Sequence, residues 1–226
     1  MLPDRLKSIF RGSSGAQEES SSPFKGKGAS VKEIVTTRQS RGLEQFFGDI
    51  RDQSGLSILD MGGACQDNIN FITSLGHRIT PRSILQSLDE TFGGVAEADQ
   101  SNAHQIESFL KNNLDYLPDT FDGVLLWDTL QFMTPPLLNA VLERLHFITR
   151  PKSCLLVYFS SEERAKESPV YSFRIENKTT LKLIQRGARP TAQVFNNRGL
   201  EKLFARFESV KFFLTRESLR EVIVRR

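Results

Sequence analysis

The sequence predicts an α/β fold: a mostly parallel sheet that finishes in an antiparallel hairpin, with helices on both faces. Three stretches carry that prediction. FDGVLLWDTLQFMTPPLLNAVLERLHFITRPKSCLLVYFS, residues 121–160, reads as strand, helix, strand. Its short apolar runs Val124–Trp127 and Leu155–Phe159 suit strands covered on both faces, and such a unit is parallel and right-handed. LSILDM, Leu56–Met61, is a further apolar strand with a glycine on either side. At the C-terminus, VKFFLT and REVIVRR are separated only by residues 216–219. Four residues cannot span a parallel crossover, so these two strands must pair antiparallel.

The remaining elements follow in chain order. Residues 11–30, RGSSGAQEESSSPFKGKGAS, are Ser/Gly-rich and nearly free of apolar side chains, too few to offset the entropy of ordering. With the ten residues before them they read as a disordered tail, 1–30, ahead of a domain at 31–226. Leu2, Leu6, Ile9 and Phe10 share one helical face in that tail, where fraying is the expectation. Leu43–Ile50 has helical spacing. NINFITSL is a helix with Asp67 or Asn68 as N-cap, Ile69, Ile72 and Leu75 inward and Gly76 as its stop. A strand is expected at Arg78–Thr80, whereas residues 81–118 give no pattern. Thr134 caps a helix with Pro135 in its first turn, where a missing N–H costs nothing. Leu137, Leu138, Val141, Leu142, Leu145 and Ile148 form its apolar stripe. PVYSFRI and TTLKLIQR read as an added β-hairpin, about residues 169–186, and Asn197–Phe207 as a last helix.

Bulk composition narrows the class. The chain has 226 residues, 38% hydrophobic and 25% charged, values ordinary for a soluble α/β domain. No run reaches the roughly 18–20 apolar residues of a membrane span, and no signal-peptide core opens the chain. Cys65 and Cys154 make no disulfide framework, so a cytoplasmic protein is expected. Residues 1–160 carry 15 Lys/Arg against 19 Asp/Glu, but residues 161–226 carry 15 against 8. That basic third suits an anionic substrate or nucleic acid, or is a solvated Arg-rich surface. His77, His104 and His146 lack metal-ligand spacing, and no nucleophile elbow, P-loop or zinc motif occurs. Metal chemistry and hydrolysis are therefore not expected.

Three local motifs, in order and spacing, carry a resemblance. ILDMG resembles the first motif of class I S-adenosylmethionine-dependent methyltransferases, an apolar strand running into Asp-x-Gly. FDGVLLWDTLQFM resembles that family's fourth-strand motif, and ITRPKSCLLVYF its turn and fifth strand, usually written with a glycine pair where Lys152 and Ser153 stand. The similarity spans roughly Leu43 to Arg226 and looks closest to a divergent bacterial methyltransferase-like subgroup. It implies a Rossmann-like, seven-stranded sheet and transfer of a methyl group to an acceptor that the sequence does not identify. It also implies S-adenosylmethionine as cofactor, held by Asp60, Gly62, Gly63, Asn68, Trp127 and Asp128. Asp60 would orient the loop and the cofactor's ammonium end, and Gly62 would admit the backbone. Trp127 would shield adenosine or sulfonium, and Asp128 would meet the methionyl portion. No catalytic residue is named, because an activated sulfonium needs only a well-held acceptor, with a base for a poor nucleophile.

Each of those residues also has a structural reading: Asp60 as a loop brace, Gly62 as a tight turn, Trp127 as core, Asp128 as a cap. The departures from the family favour such readings. Ala64 and Gln66 stand where further glycines are usual, and Gln66 restricts positive φ. Where a carboxylate normally grips the ribose, this chain has Thr80, Pro81, Arg82 and Ser83. Three readings therefore stand: a methyltransferase, a methyltransferase-like scaffold acting through protein or nucleic-acid contacts, and an NADP-dependent oxidoreductase with Arg82 on the 2′-phosphate. The third leaves the terminal hairpin unexplained. In the first, Lys178, Lys182 and Arg186 on the added hairpin would lid the site and favour an anionic acceptor.

Overall fold

The computed structural model describes residues 34–50, 52–93, 99–162, 166–213 and 219–226; the tail expected at 1–30 lies outside them. The main sheet contains β2 (Ser57–Asp60), β3 (Arg78–Pro81), β4 (Phe121–Trp127), β5 (Thr149–Ser160), β8 (Ser209–Phe213) and β9 (Leu219–Arg225). Its order is β3-β2-β4-β5-β9-β8. The first four strands run parallel, and β9 pairs antiparallel with both β5 and β8. A mostly parallel sheet closed by an antiparallel hairpin is what the sequence led us to expect. Six described strands form it rather than seven.

Both faces of the sheet are covered. Along β4 and β5, Val124, Leu126, Leu155, Val157 and Phe159 enter one core, and Leu125, Trp127, Cys154, Leu156 and Tyr158 the other, as a period of two demands. The first core is packed by α3 (Ile84–Phe92), α4 (Ala103–Leu114), α5 (Pro135–Ile148) and α6 (Asn197–Leu203). The second is packed by α1 (Arg41–Asp49), α2 (Gln66–Ser74) and a separate three-stranded sheet. That sheet, ordered β1-β7-β6, joins β6 (Glu167–Asn177) and β7 (Thr180–Pro190) to β1 (Val35–Gln39). Phe173 and Ile175 of β6, and Leu181 and Leu183 of β7, are its contribution to the core. The sequence did not foreshadow β1, which is mostly polar and exposed.

Two helix ends differ from expectation. The N-cap of α2 is Cys65, with no side-chain cap bond, so neither Asp67 nor Asn68 caps it; α6 ends at Leu203, short of Phe207. Lys152, standing where the resembling family writes glycine, has φ +68, the left-handed region that glycine occupies without strain.

A buried ion pair fastens β1 to the main sheet. Arg38 Nη2 lies 3.0 Å from Glu221 Oε1, and Glu221 Oε2 accepts from Gly42 N at 2.6 Å and from Ser40 Oγ at 3.0 Å. Those extra donors offset part of the cost of stripping water from the charge. Ser40 also caps α1 by accepting from Leu43 N at 3.0 Å. The charge imbalance along the chain also finds its partners here. Arg174, Arg189, Arg206, Arg225 and Arg226 pair with Asp67, Asp89, Glu143, Asp49 and Asp119. Five of the fifteen Lys/Arg of the basic third are in this way answered by carboxylates of the acidic part of the same chain.

Candidate functional site

In an open α/β sheet, ligands bind beyond the carboxyl ends of the strands, where the strand order reverses. Here the reversal lies between β2 and β4, whose ends carry Asp60 and Trp127-Asp128. All six residues expected to hold a cofactor lie at this crest or on the loop and helix that follow β2. What they contact decides the chemistry available.

Asp60 is fully buried. Its Oδ1 accepts from Trp127 Nε1 at 2.6 Å and from Gly62 N at 2.9 Å, and its Oδ2 accepts from Asn68 Nδ2 at 3.1 Å. Burial pushes its carboxyl above the ordinary carboxylate range, against the pull of these three donors. Of the loop amides, Gly62 N–H goes to Asp60, and Gly63 N–H, on a residue at φ +93, goes to Arg82 O at 3.0 Å. Arg82 N returns to Asp60 O at 2.7 Å, and Gly62 and Ser83 form a bridge. The chain that replaces the ribose-gripping carboxylate thus zips against the loop itself.

Trp127 has φ +52, a strained backbone for a bulky residue. The turn delivers its indole into the crest, where it is 1% exposed. Phe173 stacks on it with centroids 4.9 Å apart and planes 14° apart, and Tyr158 lies beyond at 6.1 Å and 19°. The indole presses on the loop: a Cβ at Gly62 would lie 2.7 Å from Trp127 Cδ1. Gly62 therefore admits the chain's own ring at the place where the family admits cofactor. Gln66, whose bulk was expected to restrict the loop, is exposed and donates to Asn70 Oδ1 at 2.7 Å.

Asn68 and Asp128 are likewise engaged. Asn68 donates to Phe173 O at 3.1 Å and accepts from Ile175 N at 2.8 Å. Asp128 Oδ2 accepts from Tyr171 N at 3.4 Å. Residues 171, 173 and 175 alternate along β6, and their outward backbone groups have no strand beside them. The two crest side chains stand in for that missing strand, which protects an edge that would otherwise be left open. Asp128 is 1% exposed with one long hydrogen bond from β6, and burial pushes its carboxyl up to about 7.

Sequence reasoning therefore brought the right residues together but missed Phe173 and Tyr158, which complete the aromatic stack. The alternation of Tyr171, Phe173 and Ile175 was the available signal; which wall of the crest they would meet depends on contacts 43 or more positions away along the chain. Lys178 and Lys182 lie on β7 and its turn, and Lys182 lines an open groove of about 630 Å³ with Asp67, Phe71, Arg174 and Glu176, so acids accompany the bases there. Cys65 and Cys154 are both free thiols. Among the described residues no group of His, Cys, Asp and Glu is arranged to hold a metal ion.

Comparison with known proteins adds looser likenesses. No protein-family model matches the chain, and no curated protein matches it in sequence. Among solved structures, a SAM-dependent methyltransferase from Methanosarcina mazei is 16% identical, with a TM-score of 0.45, over 77% of this chain and 93% of that one. The Burkholderia thailandensis 1,6-didemethyltoxoflavin-N1-methyltransferase, solved with S-adenosylhomocysteine, is 13% identical with a TM-score of 0.44, over 82% and 76%. A SAM-dependent methyltransferase from Aquifex aeolicus is 12% identical with a TM-score of 0.41, over 80% and 88%. Likenesses this distant carry no assignment, and the architecture is read from strand order and direction. The protein is an open, doubly wound α/β domain with its switch point at Asp60 and Trp127. Among the described residues its main sheet has six strands, four of them parallel, closed by an antiparallel hairpin.

The residues present do not fit the S-adenosylmethionine that the sequence resemblance implies. An adenosyl group needs a carboxylate for its ribose, free loop amides and an open crest. Pro81 and Arg82 occupy the first position, Asp60 and Arg82 take the Gly62 and Gly63 amides, and Trp127 and Phe173 fill the third.

Proposed function

We infer that this chain is a methyltransferase-fold protein that has turned its cofactor crest into core and works as an interaction protein. One observation carries the reading: the Trp127 indole, hydrogen-bonded to Asp60 at 2.6 Å and stacked by Phe173, occupies the slot. A protein partner is favoured over nucleic acid. Five of the fifteen Lys/Arg of the basic third already pair with carboxylates, which lowers the number that could release counterions from a phosphate backbone. No helix among the described residues is long and apolar enough to cross a membrane.

A second reading, an S-adenosylmethionine-dependent methyltransferase, is favoured by the retained carboxylates Asp60 and Asp128 at the switch point. It requires the stack of Trp127 and Phe173 to part, and its acceptor, small or macromolecular, would lie under the hairpin that carries Lys178, Lys182 and Arg186. Calorimetric titration of the full chain with S-adenosylmethionine and S-adenosylhomocysteine, with NADPH as a third ligand, separates the readings. Silence up to millimolar concentration is the expected result. Saturable micromolar binding of either adenosyl compound would restore the enzyme, and of NADPH the oxidoreductase.

A further inference from the structure

A second polar site lies away from the filled crest, at the carboxyl ends of β4 and β5. A small cavity of about 10 Å³ is lined by Gln131, from the 3-10 turn Thr129–Phe132, by Phe159 and Ser160 of β5, by Ser168 of β6, and by Thr191 and Phe195. Gln131 is 2% exposed and Ser168 1%. Gln131 Nε2 and Ser168 Oγ are both buried and have no hydrogen-bond partner within the protein.

The orientation of the Gln131 amide is fixed by its neighbour. Its Oε1 accepts from Ser160 N at 2.8 Å, and the reverse orientation would set donor against donor. The NH2 group must therefore be the end without an acceptor. A buried polar group left so is costly, and native structures satisfy nearly all of them. The space available is close to the roughly 10–15 Å³ that one water centre requires. An organic ligand does not fit, and an apolar filling would leave both groups stranded.

We propose that this cavity is a binding site for one water molecule, which accepts a hydrogen bond from Gln131 Nε2 and donates one to Ser168 Oγ. Each of the two stranded atoms then has one partner, with Ser160 N–H still on Gln131 Oε1. The water joins the turn after β4 to the first residues of β6. The added sheet is thereby held at its start by water and further along by Asn68 and Asp128. Nothing in this depends on the crest being closed to cofactor.

A high-resolution crystal structure of the full chain tests it. One density peak within hydrogen-bonding distance of both atoms is expected. A dry cavity, or side chains turned to bond one another, would overturn the proposal. Ser168→Ala supplies a readout whose sign decides. With water bound, losing Oγ breaks a bridge and lowers the urea midpoint; if the cavity is dry, removing a stranded hydroxyl raises it.

Discussion

Trp127→Phe is expected to destabilise the protein by about 3–5 kcal/mol although an aromatic ring is kept. Two losses add. The smaller ring leaves space between Phe173 and Tyr158, and a large-to-small change in a packed core costs on the order of 1–3 kcal/mol. The Nε1–H donor to Asp60 also disappears, and a hydrogen bond to a charged group is worth about 1.5–3 kcal/mol. Because Asp60 is fully buried, water cannot replace the lost donor. Asp60→Asn in the same background should recover part of the loss, since it removes the stranded charge. Urea unfolding of the two single variants and the double variant reads this directly. A coupling of at least about 1.5 kcal/mol is expected for partners in one network; simple additivity would mean that the indole and the carboxylate do not depend on each other.

Asp128→Asn should act in the opposite direction and depend on pH. Burial raises the Asp128 carboxyl from 3.8 to about 7. A group whose folded-state pKa is raised contributes stability in full below its unfolded value, near pH 4, and loses it as pH climbs to about 7. At about 1.4 kcal/mol per unit, the ionised form costs the fold roughly 4 kcal/mol at pH 8. Asparagine keeps an acceptor for the Tyr171 N–H and never ionises. The variant should therefore exceed the wild type in stability by roughly 3–4 kcal/mol at pH 8, with the gap closing near pH 4. Paired urea midpoints at the two pH values check it, because other titrating groups, such as the buried His77 whose pKa is lowered by burial, cancel in the difference. A gap independent of pH would contradict the account.

Legibility of the fold followed the continuity of apolar runs. β4, α5 and β5 were plain because Val124–Trp127 and Leu155–Phe159 are unbroken and the stripe of α5 keeps its period. In the unpatterned stretch 81–118, α3 did leave a signal, Ile84, Leu88 and Phe92 spaced by four. Asn102 likewise caps α4, accepting from His104 N and Gln105 N. Both were hidden by the weakly patterned polar sequence around them. β1 could not be read, since its five residues gain their place from pairing with β7 and from the buried Arg38–Glu221 contact.

At the crest, membership was legible and roles were not. Asp60, Trp127 and Asp128 end their strands by sequence, so their meeting followed from topology. Whether the indole would face ligand or core depended on a positive φ at Trp127 and on Phe173 arriving from the added hairpin, and neither is local information. Asn68 and Asp128 show the same limit: their side chains could have met a cofactor, but the open edge of β6 takes them first.

Trp127 is the chain's single tryptophan, so its fluorescence reports on the disputed slot alone. The most direct measurement is acrylamide quenching of that emission, repeated with millimolar S-adenosylhomocysteine. A filled crest predicts blue-shifted emission, little quenching and no response to the ligand. Ready quenching, or a saturable change in emission as the ligand is added, would show an open slot and contradict the account.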